Sequence, residues 1–213
     1  MRKLLPGLAL AALAIASVVR ADPPPDRTVR YQIRRNGDPI GTHQVVFERH
    51  GERFTVHHRI DIRVTVLSLE AYSYQMDSRE TWQGDRLLGL TTSTDRNGDA
   101  LRVLGRASGD VLRLRGPEGA RELPANAVPS SPQHWVFDQP RPVMFEAEDA
   151  RVLAVRVSAP TTESLTLGGR AVPCRRVTVS GDLDATLWYG PSGILVRKRL
   201  TAPDGSTILT VLQ

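Results

Sequence analysis

One histidine and one glutamate stand where the surrounding pattern calls for apolar side chains. His58 lies in residues 54–66 and Glu80 in residues 72–82, and both stretches alternate between apolar and polar residues. Ionisable groups are rarely buried unless they are paired. We therefore expect the His58 imidazole to meet the Glu80 carboxylate. The pair would form either a satisfied hydrogen bond within the core or a site for acid–base chemistry.

A third polar side chain is expected to join this pair. A hairpin through residues 50–53 places His43 diagonal to His58, on the same face of the sheet. Ser78 is a further candidate for the cluster. An apolar hollow with a few converging polar groups is the usual form of a ligand site. The candidate ligand-binding residues are His43, Val56, His58, Tyr72, Tyr74, Met76, Glu80, Trp82 and Trp135.

Other signatures of chemistry are weak in this sequence. It contains no glycine-rich phosphate loop, no nucleophilic serine elbow and no paired cysteine motif. His57 and His58 are adjacent on a strand, so they point to opposite faces and cannot share a metal ion. Asp182 and Asp184 share a face beside a glycine turn, a pattern typical of solvated surface. We therefore predict no catalytic residue, no metal site and no cofactor.

The single cysteine, Cys174, excludes a disulfide within the chain. It lies in an extended run with no histidine nearby in sequence, which favours a structural role. A reactive thiol or an intermolecular link is the alternative.

The alternating stretches predict two strands that present one buried and one solvated face. A shift of the pairing by one residue would expose the apolar side chains of one strand to water. The assignment of side chains to the buried and solvated faces is therefore well determined. With a loop over residues 67–71, the apolar faces coincide when Val66 pairs with Tyr72 and His58 pairs with Glu80. A slip of two residues would keep the same faces.

Turn signals such as Asn36-Gly37 and Asn97-Gly98 recur between short apolar runs in both halves of the chain. We count about twelve strands and no long helix. The pattern predicts one all-β domain over residues 22–213, a single antiparallel meander curled into an open or closed barrel that hides its edges.

The two halves are separated by residues 116–150, which contain six prolines. Proline cannot donate to a strand ladder, so this segment cannot be a central strand. Its many apolar residues make disorder unfavourable. We predict a packed flap with a short helical turn near residues 133–137, and we expect Trp135 and Phe137 to be buried. A linker between two domains is the alternative.

Residues 1–21 have the layout of a secretory signal peptide. Arg2 and Lys3 precede the apolar residues 4–19, and a short segment ending in Ala21 follows. The run is shorter than the roughly 20 residues that a membrane-spanning helix needs. We expect cleavage after Ala21, a periplasmic location and no transmembrane segment in the remaining chain. A membrane anchor is the alternative.

The charge pattern argues against a nucleic-acid partner. The chain carries 28 Lys and Arg against 23 Asp and Glu, and losing Arg2, Lys3 and Arg20 would lower its net charge from +5 to +2. The remaining basic residues are interspersed with acidic ones, whereas a nucleic-acid binder would show a basic stripe. An envelope protein remains open as a partner.

Short motifs spread over the chain resemble one family of exported, uncharacterised proteobacterial proteins, defined as a domain of unknown function. The motifs are Tyr31-Gln32-Ile33, Asn36-Gly37, Ile40-Gly41, Trp82 with Gly84, Trp188-Tyr189 before Gly193, and Asp204-Gly205-Ser206. The resemblance implies a periplasmic all-β fold and supplies no catalytic residue. In general layout the chain is also similar to barrels that carry lipids or lipoproteins across the periplasm, although fold does not decide function.

Three functions are compatible with the sequence. The favoured one is a non-enzymatic periplasmic protein that binds an apolar, lipid-like ligand in the concave face of a curled sheet. The first alternative is a structural or accessory subunit of an envelope complex with a filled core. The second alternative is an enzyme that uses His58 and Glu80 as acid and base.

Overall fold

The structure is a computed structural model that describes residues 26–67, 69–138 and 143–213. The expected signal peptide, residues 1–21, and its cleavage point lie outside the described residues. No helix occurs in the described part of the chain. All of its regular structure is therefore β-strand, as the alternating pattern predicted.

Seventeen strands follow one another along the described chain. The first eight are β1 (Arg27–Arg35), β2 (Asp38–His50), β3 (Arg53–Val66), β4 (Leu69–Gln83), β5 (Arg86–Arg96), β6 (Asp99–Ser108), β7 (Val111–Gly116) and β8 (Gly119–Pro124). Short strands follow in β9 (Val128–Pro129), β10 (Met144–Phe145), β11 (Val152–Leu153) and β12 (Val155–Val157). The last five are β13 (Thr161–Leu167), β14 (Arg170–Gly181), β15 (Ala185–Tyr189), β16 (Leu195–Thr201) and β17 (Thr207–Leu212).

Fourteen of these strands form one antiparallel sheet built from two meanders. The first meander runs from β1 to β8 and the second from β14 to β17, and pairing of β1 with β17 joins them. β12 and β13 both pair with β14 at the far edge. The sheet order among the described strands ends at β8 on one side and at β12 on the other, so the sheet is not a closed barrel.

The predicted count of about twelve strands was too low. The additional strands are mostly short, and β9, β10 and β11 form a separate three-stranded sheet. Strands of two residues carry no alternation, because a period of two needs several residues to become visible. The antiparallel meander itself is confirmed.

The sheet is strongly curved. His134 bridges to Ile194, directly before β16, and its ring also lies 4.6 Å from the ring of Trp82 on β4. Those two strands are five steps apart in the sheet order, which would separate them by about 24 Å in a flat sheet. One residue can contact both only if the sheet wraps around the interior.

The central hairpin has the predicted faces but a different register. In β3 and β4, His58 pairs with Ser78, Val56 pairs with Glu80, and β4 begins at Leu69 rather than after a loop over residues 67–71. The expected His58–Glu80 pairing was therefore wrong by two residues. A register shift next to Val64 absorbs part of the difference. A shift by two residues does not change the face on which a side chain lies, so His58 and Glu80 still share the inner face.

Side chains on the concave side form one apolar core. Its largest fully buried members come from both meanders and from β10, and they are Trp82, Tyr31, Tyr189, Phe47, Phe54 and Phe145. A second, smaller cluster of Leu165, Cys174, Trp188 and Val196 lies apart from this core. Cys174 is 1 % exposed within that cluster, a position that agrees with a structural role.

The predicted flap over residues 116–150 is only partly a loop. Residues 119–124 form β8, where Pro124 is tolerated because β8 lies at the sheet edge. The rest, which we call the crossing segment, comprises the described residues 125–138 and 143–151. Residues 133–137 form no helical turn, and Trp135 and Phe137 are 5 % and 6 % exposed. The crossing segment is thus packed inside the curved sheet.

Candidate functional site

A cavity of about 300 Å³ lies between the inner face of the sheet and the crossing segment. Its apolar lining comes mainly from strands β3 and β4 and consists of Ile60, Ile62, Tyr72, Tyr74, Met76, Pro129, Ala147, Leu183 and Leu200. Its polar lining consists of His43, His58, Glu80, Ser130, Ser131, Gln133, Glu146, Glu148, Arg151 and Lys198. Apolar side chains, mainly of β3 and β4, therefore line the cavity together with charged and polar groups from β2, β3, β4, β16 and the crossing segment.

Three adjacent strands contribute a connected row of polar groups. His43 Nε2 on β2 lies 3.2 Å from His58 Nδ1 on β3, and the two rings stack at 5.4 Å. His58 Nε2 lies 3.3 Å from Glu80 Oε1 on β4, a contact whose geometry is electrostatic rather than that of a hydrogen bond. The indole N–H of Trp82 donates to Glu80 Oε2 at 2.7 Å. The row links the cavity wall to the packed core.

Glu80 is the charged end of this row. Burial opposes its ionisation, but attraction to His58 and the hydrogen bond from Trp82 outweigh burial and hold the pKa of Glu80 below its usual value. Burial, His58 and Lys198 all lower the pKa of His43 well below 6.5. At neutral pH the row therefore carries an ionised carboxylate at one end and a neutral imidazole at the cavity end.

A second polar group reaches the cavity from β16 and the crossing segment. Lys198 on β16 points to the inner face with Leu200, and its Nζ donates to Ser131 Oγ of the crossing segment at 3.2 Å. Gln133 donates from Nε2 to the Ser131 carbonyl at 2.9 Å. Burial lowers the pKa of Lys198, and Glu146 partly offsets this effect.

Two more carboxylates complete the lining, and both already have partners. Ser130 Oγ donates to Glu146 at 2.7 Å. Glu148 forms an ion pair with Arg96 at 3.1 Å, and the nearby Tyr74 hydroxyl donates to Met76 Sδ at 3.4 Å. Burial raises the pKa of Glu148, and the same burial together with Glu148 raises the pKa of Tyr74.

Six of the nine candidate residues line the cavity: His43, His58, Tyr72, Tyr74, Met76 and Glu80. Val56, Trp82 and Trp135 do not, because the first two are fully buried in the core and Trp135 packs elsewhere in the crossing segment. Ser78 pairs with His58 along the backbone but bonds through its hydroxyl to Thr92 at 2.8 Å. The ligand-binding role of the six remains a prediction.

Sequence reasoning missed the groups that the crossing segment and β16 bring to this cavity. Lys198 stands between Arg197 and Arg199, a run that resembles solvated surface. Lys198 and the apolar Leu200 are two residues apart in sequence, so on a strand they share a face. This spacing could have indicated that Lys198 points inward. For Ser131, Gln133 and the glutamates of the crossing segment no comparable periodic signal exists, because the strands of that segment, β9 and β10, are only two residues long.

Next to the cavity lies a region that the crossing segment fills completely. His134 sits edge-on against Phe54 and Trp82, with ring centroids at 4.8 and 4.6 Å. Both of its ring nitrogens lack a hydrogen-bond partner within the described structure. Burial lowers the pKa of His134 to about 4, so its imidazole is neutral at physiological pH.

Clustered metal ligands and membrane-spanning helices are both absent from residues 26–67, 69–138 and 143–213. Within them, no three side chains of the metal-binding types come close enough together to hold a metal ion. None of these residues belongs to a helix long and apolar enough to cross a membrane.

Comparisons with known proteins identify relatives for the fold. The family described as Domain of unknown function (DUF6134) matches residues 31–213. Among solved structures, the chain is similar to a β-barrel-like protein of Domain of Unknown Function DUF1849 from Brucella abortus, with a TM-score of 0.61 and 10% sequence identity. The similarity covers 87% of this chain and 94% of the other, and at this identity it concerns the fold alone. No curated protein matches the sequence.

Proposed function

The chain belongs to the DUF6134 family, and we propose that it is a non-enzymatic, exported protein that binds an apolar, lipid-like molecule in the cavity of its curved sheet. The observation that carries this proposal is the mixed lining of the cavity. Aliphatic and aromatic side chains, most of them on β3 and β4, line it together with ten polar or charged residues. Ligand sites usually combine apolar surface with placed polar groups, and a lining of both kinds suits an amphiphilic molecule.

The size of the cavity supports the same class of ligand. A volume of about 300 Å³ is at the lower end of the range for ligand pockets. It accommodates one short or partly inserted apolar chain rather than a bulky headgroup. Ile60, Ile62 and Met76 offer this chain a continuous surface along neighbouring strands.

The expected export to the periplasm is part of this proposal. The layout of residues 1–21 supports it. Cys174 is the only cysteine, so the chain forms no internal disulfide. A domain of this length can bury a sufficient core without covalent links.

One observation favours an enzymatic alternative. The row from Glu80 through His58 to His43 joins an ionised carboxylate to an imidazole that lines the cavity, an arrangement that can relay a proton. A filled accessory subunit is favoured instead by the crossing segment, which occupies much of the interior. Neither alternative accounts for the apolar side chains that line the cavity beside these polar groups.

The proposal is tested by filling the cavity. Met76→Trp places a large ring among the lining residues, while the matched control Gln75→Trp puts the same ring on the exposed face of the same strand. Binding of the fluorescent fatty acid cis-parinaric acid is measured for all three proteins. We expect the wild-type protein and Gln75→Trp to bind, and Met76→Trp to bind at least about tenfold more weakly. Equal binding by all three proteins, or no binding by the wild type, would overturn the proposal.

A further inference from the structure

The amino group on the cavity wall is the only one of its kind in the described chain. The sequence contains two lysines, Lys3 and Lys198, against 26 arginines. An ammonium is a compact point charge on a flexible stem, whereas a guanidinium is a planar fork suited to paired hydrogen bonds. The single lysine among these basic side chains points inward, into the cavity, at the level of Leu200.

The carboxylates around this ammonium are engaged with other partners. Glu80 contacts His58 and Trp82, and Glu146 accepts a hydrogen bond from Ser130. No carboxylate in the described part of the chain lies within ion-pair distance of Lys198, whose hydrogen-bond partner is the neutral hydroxyl of Ser131. The positive charge at this end of the cavity is thus left without a direct counter-charge.

A second side chain beside Lys198 has an unused hydrogen-bonding atom. Gln133 is 2 % exposed and lines the cavity, and its amide nitrogen is held by the Ser131 carbonyl. The amide oxygen, Gln133 Oε1, is buried and has no partner within the described residues. Buried polar atoms in folded proteins are normally hydrogen-bonded. An unpartnered acceptor in a cavity lining is an expected feature of a site whose occupant brings a hydroxyl group.

We infer that Lys198, Ser131 and Gln133 form the binding position for the head of the ligand, and that this head is a single acidic group, a carboxylic or phosphoric acid, on an apolar chain. This inference rests on the proposed function and names its ligand class. The ammonium and the Ser131 hydroxyl hold the anionic oxygens, and Gln133 Oε1 accepts from a hydroxyl of the head or from a water bound to it. The apolar chain then extends along Leu200 and Met76.

The position of the apolar lining agrees with this orientation. Leu200 follows Lys198 by two residues on β16, so both side chains project from the same face at adjacent positions. Tyr72 and Ile62 lie on the neighbouring wall of the cavity. A head bound at Lys198 therefore has an apolar surface directly beside it.

The experiment compares ligands that share a chain and differ in the head. Binding of palmitate, hexadecyl phosphate, hexadecanol and hexadecylamine to the wild-type protein is measured by displacement of cis-parinaric acid. Acetate and inorganic phosphate test whether the anion alone binds. We expect the two acidic amphiphiles to bind at least about tenfold more tightly than the alcohol, because a hydrogen bond to a charged group contributes more than a neutral one.

Two variants of Lys198 locate the effect. Lys198→Gln should lower the ratio of palmitate affinity to hexadecanol affinity at least about fivefold, and Lys198→Arg should retain the wild-type ratio. A urea unfolding midpoint close to that of the wild type shows that the Gln variant is folded. Equal wild-type affinity for palmitate and hexadecanol, an unchanged preference in Lys198→Gln, or tighter binding of hexadecylamine would overturn the inference and leave the proposed function intact. Binding of none of the amphiphiles would overturn both.

Discussion

The interior of the curved sheet is filled on one side of Glu80 and Trp82 and open on the other, and the histidines of the two regions differ accordingly. In the filled region, His134 packs edge-on against Phe54 and Trp82. Its ring nitrogens have no hydrogen-bond partner among the described residues. In the open region, His43 and His58 are 3.2 Å apart and connect to Glu80.

The imidazole side chain of histidine thus has a different role in each of the two regions. A neutral imidazole can replace an aromatic ring where packing is tight, because its edge interacts favourably with ring faces. The cost is a polar group without a partner, and burial lowers the pKa of His134 to about 4. In the open region the imidazoles of His43 and His58 contact each other and line the cavity. They can therefore contact a molecule that enters it. We infer that the filled region stabilises the fold and that the open region carries the function.

The largest expected effect comes from emptying the filled region. Trp135 is 5 % exposed, packs against Phe137 and Tyr189, and has the Arg175 guanidinium 3.9 Å from its ring centroid. Trp135→Ala should lower the free energy of unfolding by about 3–5 kcal/mol, since it leaves a cavity and removes aromatic contacts. Urea unfolding measures the change, and Leu67→Ala, at a side chain 93 % exposed, is the control. A loss below about 1 kcal/mol would contradict the view that the crossing segment is part of the core.

A smaller effect is expected at the boundary between the regions. Glu80→Ala leaves the Trp82 indole N–H and the His58 imidazole buried without their carboxylate. The free energy of unfolding should fall by about 1–3 kcal/mol, the cost of unsatisfied buried polar groups. Glu122→Ala is the control, because Glu122 forms an exposed ion pair with Arg113 that contributes little. Equal urea midpoints for the two variants would show that the row of polar groups is energetically unimportant.

The smallest expected effect is on the pH dependence of stability, and it concerns His134 in the filled region. The pKa of His134 falls from 6.5 to about 4 on folding, so between these values the unfolded chain binds a proton that the folded chain does not. The contribution of His134 to the free energy of unfolding is therefore fully present above pH 6.5 and decreases as the pH falls towards 4. His134→Phe should reduce the loss of stability between pH 7 and pH 5 by about 1–2 kcal/mol.

The measurement for His134 is urea unfolding at pH 7, pH 6 and pH 5. His43 also has a lowered pKa, so the variant should retain part of the wild-type pH dependence. The control is the same change at an exposed histidine, His50→Phe, which should keep the wild-type dependence. An unchanged dependence in His134→Phe would mean that the imidazole of His134 is not held neutral by its packing.

The sequence was sufficient for the features that depend on a period of two. Alternation placed His43, His58 and Glu80 on one inner face, and the structure brings them into a row. The pairing within that face was wrong by two residues, because the faces do not distinguish registers that differ by two and the hairpin connection is shorter than expected.

The course of the crossing segment could not be predicted in the same way. Gln133 and Trp135 bond through their backbones to Leu195 and Gly193, contacts between parts of the chain about 60 residues apart, for which no local pattern exists. The cavity is formed between this segment and the sheet. Its polar end at Lys198 was therefore missed, even though its apolar wall was recognised from β3 and β4.

The scarcity of lysine also makes one peptide bond a reporter of local opening. A protease that cleaves only after lysine can act on this sequence after Lys3 and Lys198 alone. The bond after Lys198 lies in β16, which is paired on both sides with β15 and β17, so the sheet must open there before it is cut. Cleavage would release residues 199–213, including β17, which joins the two meanders through β1. The rate of the cut after Lys198 therefore measures how often the sheet opens at β16, at a bond directly beside the cavity wall.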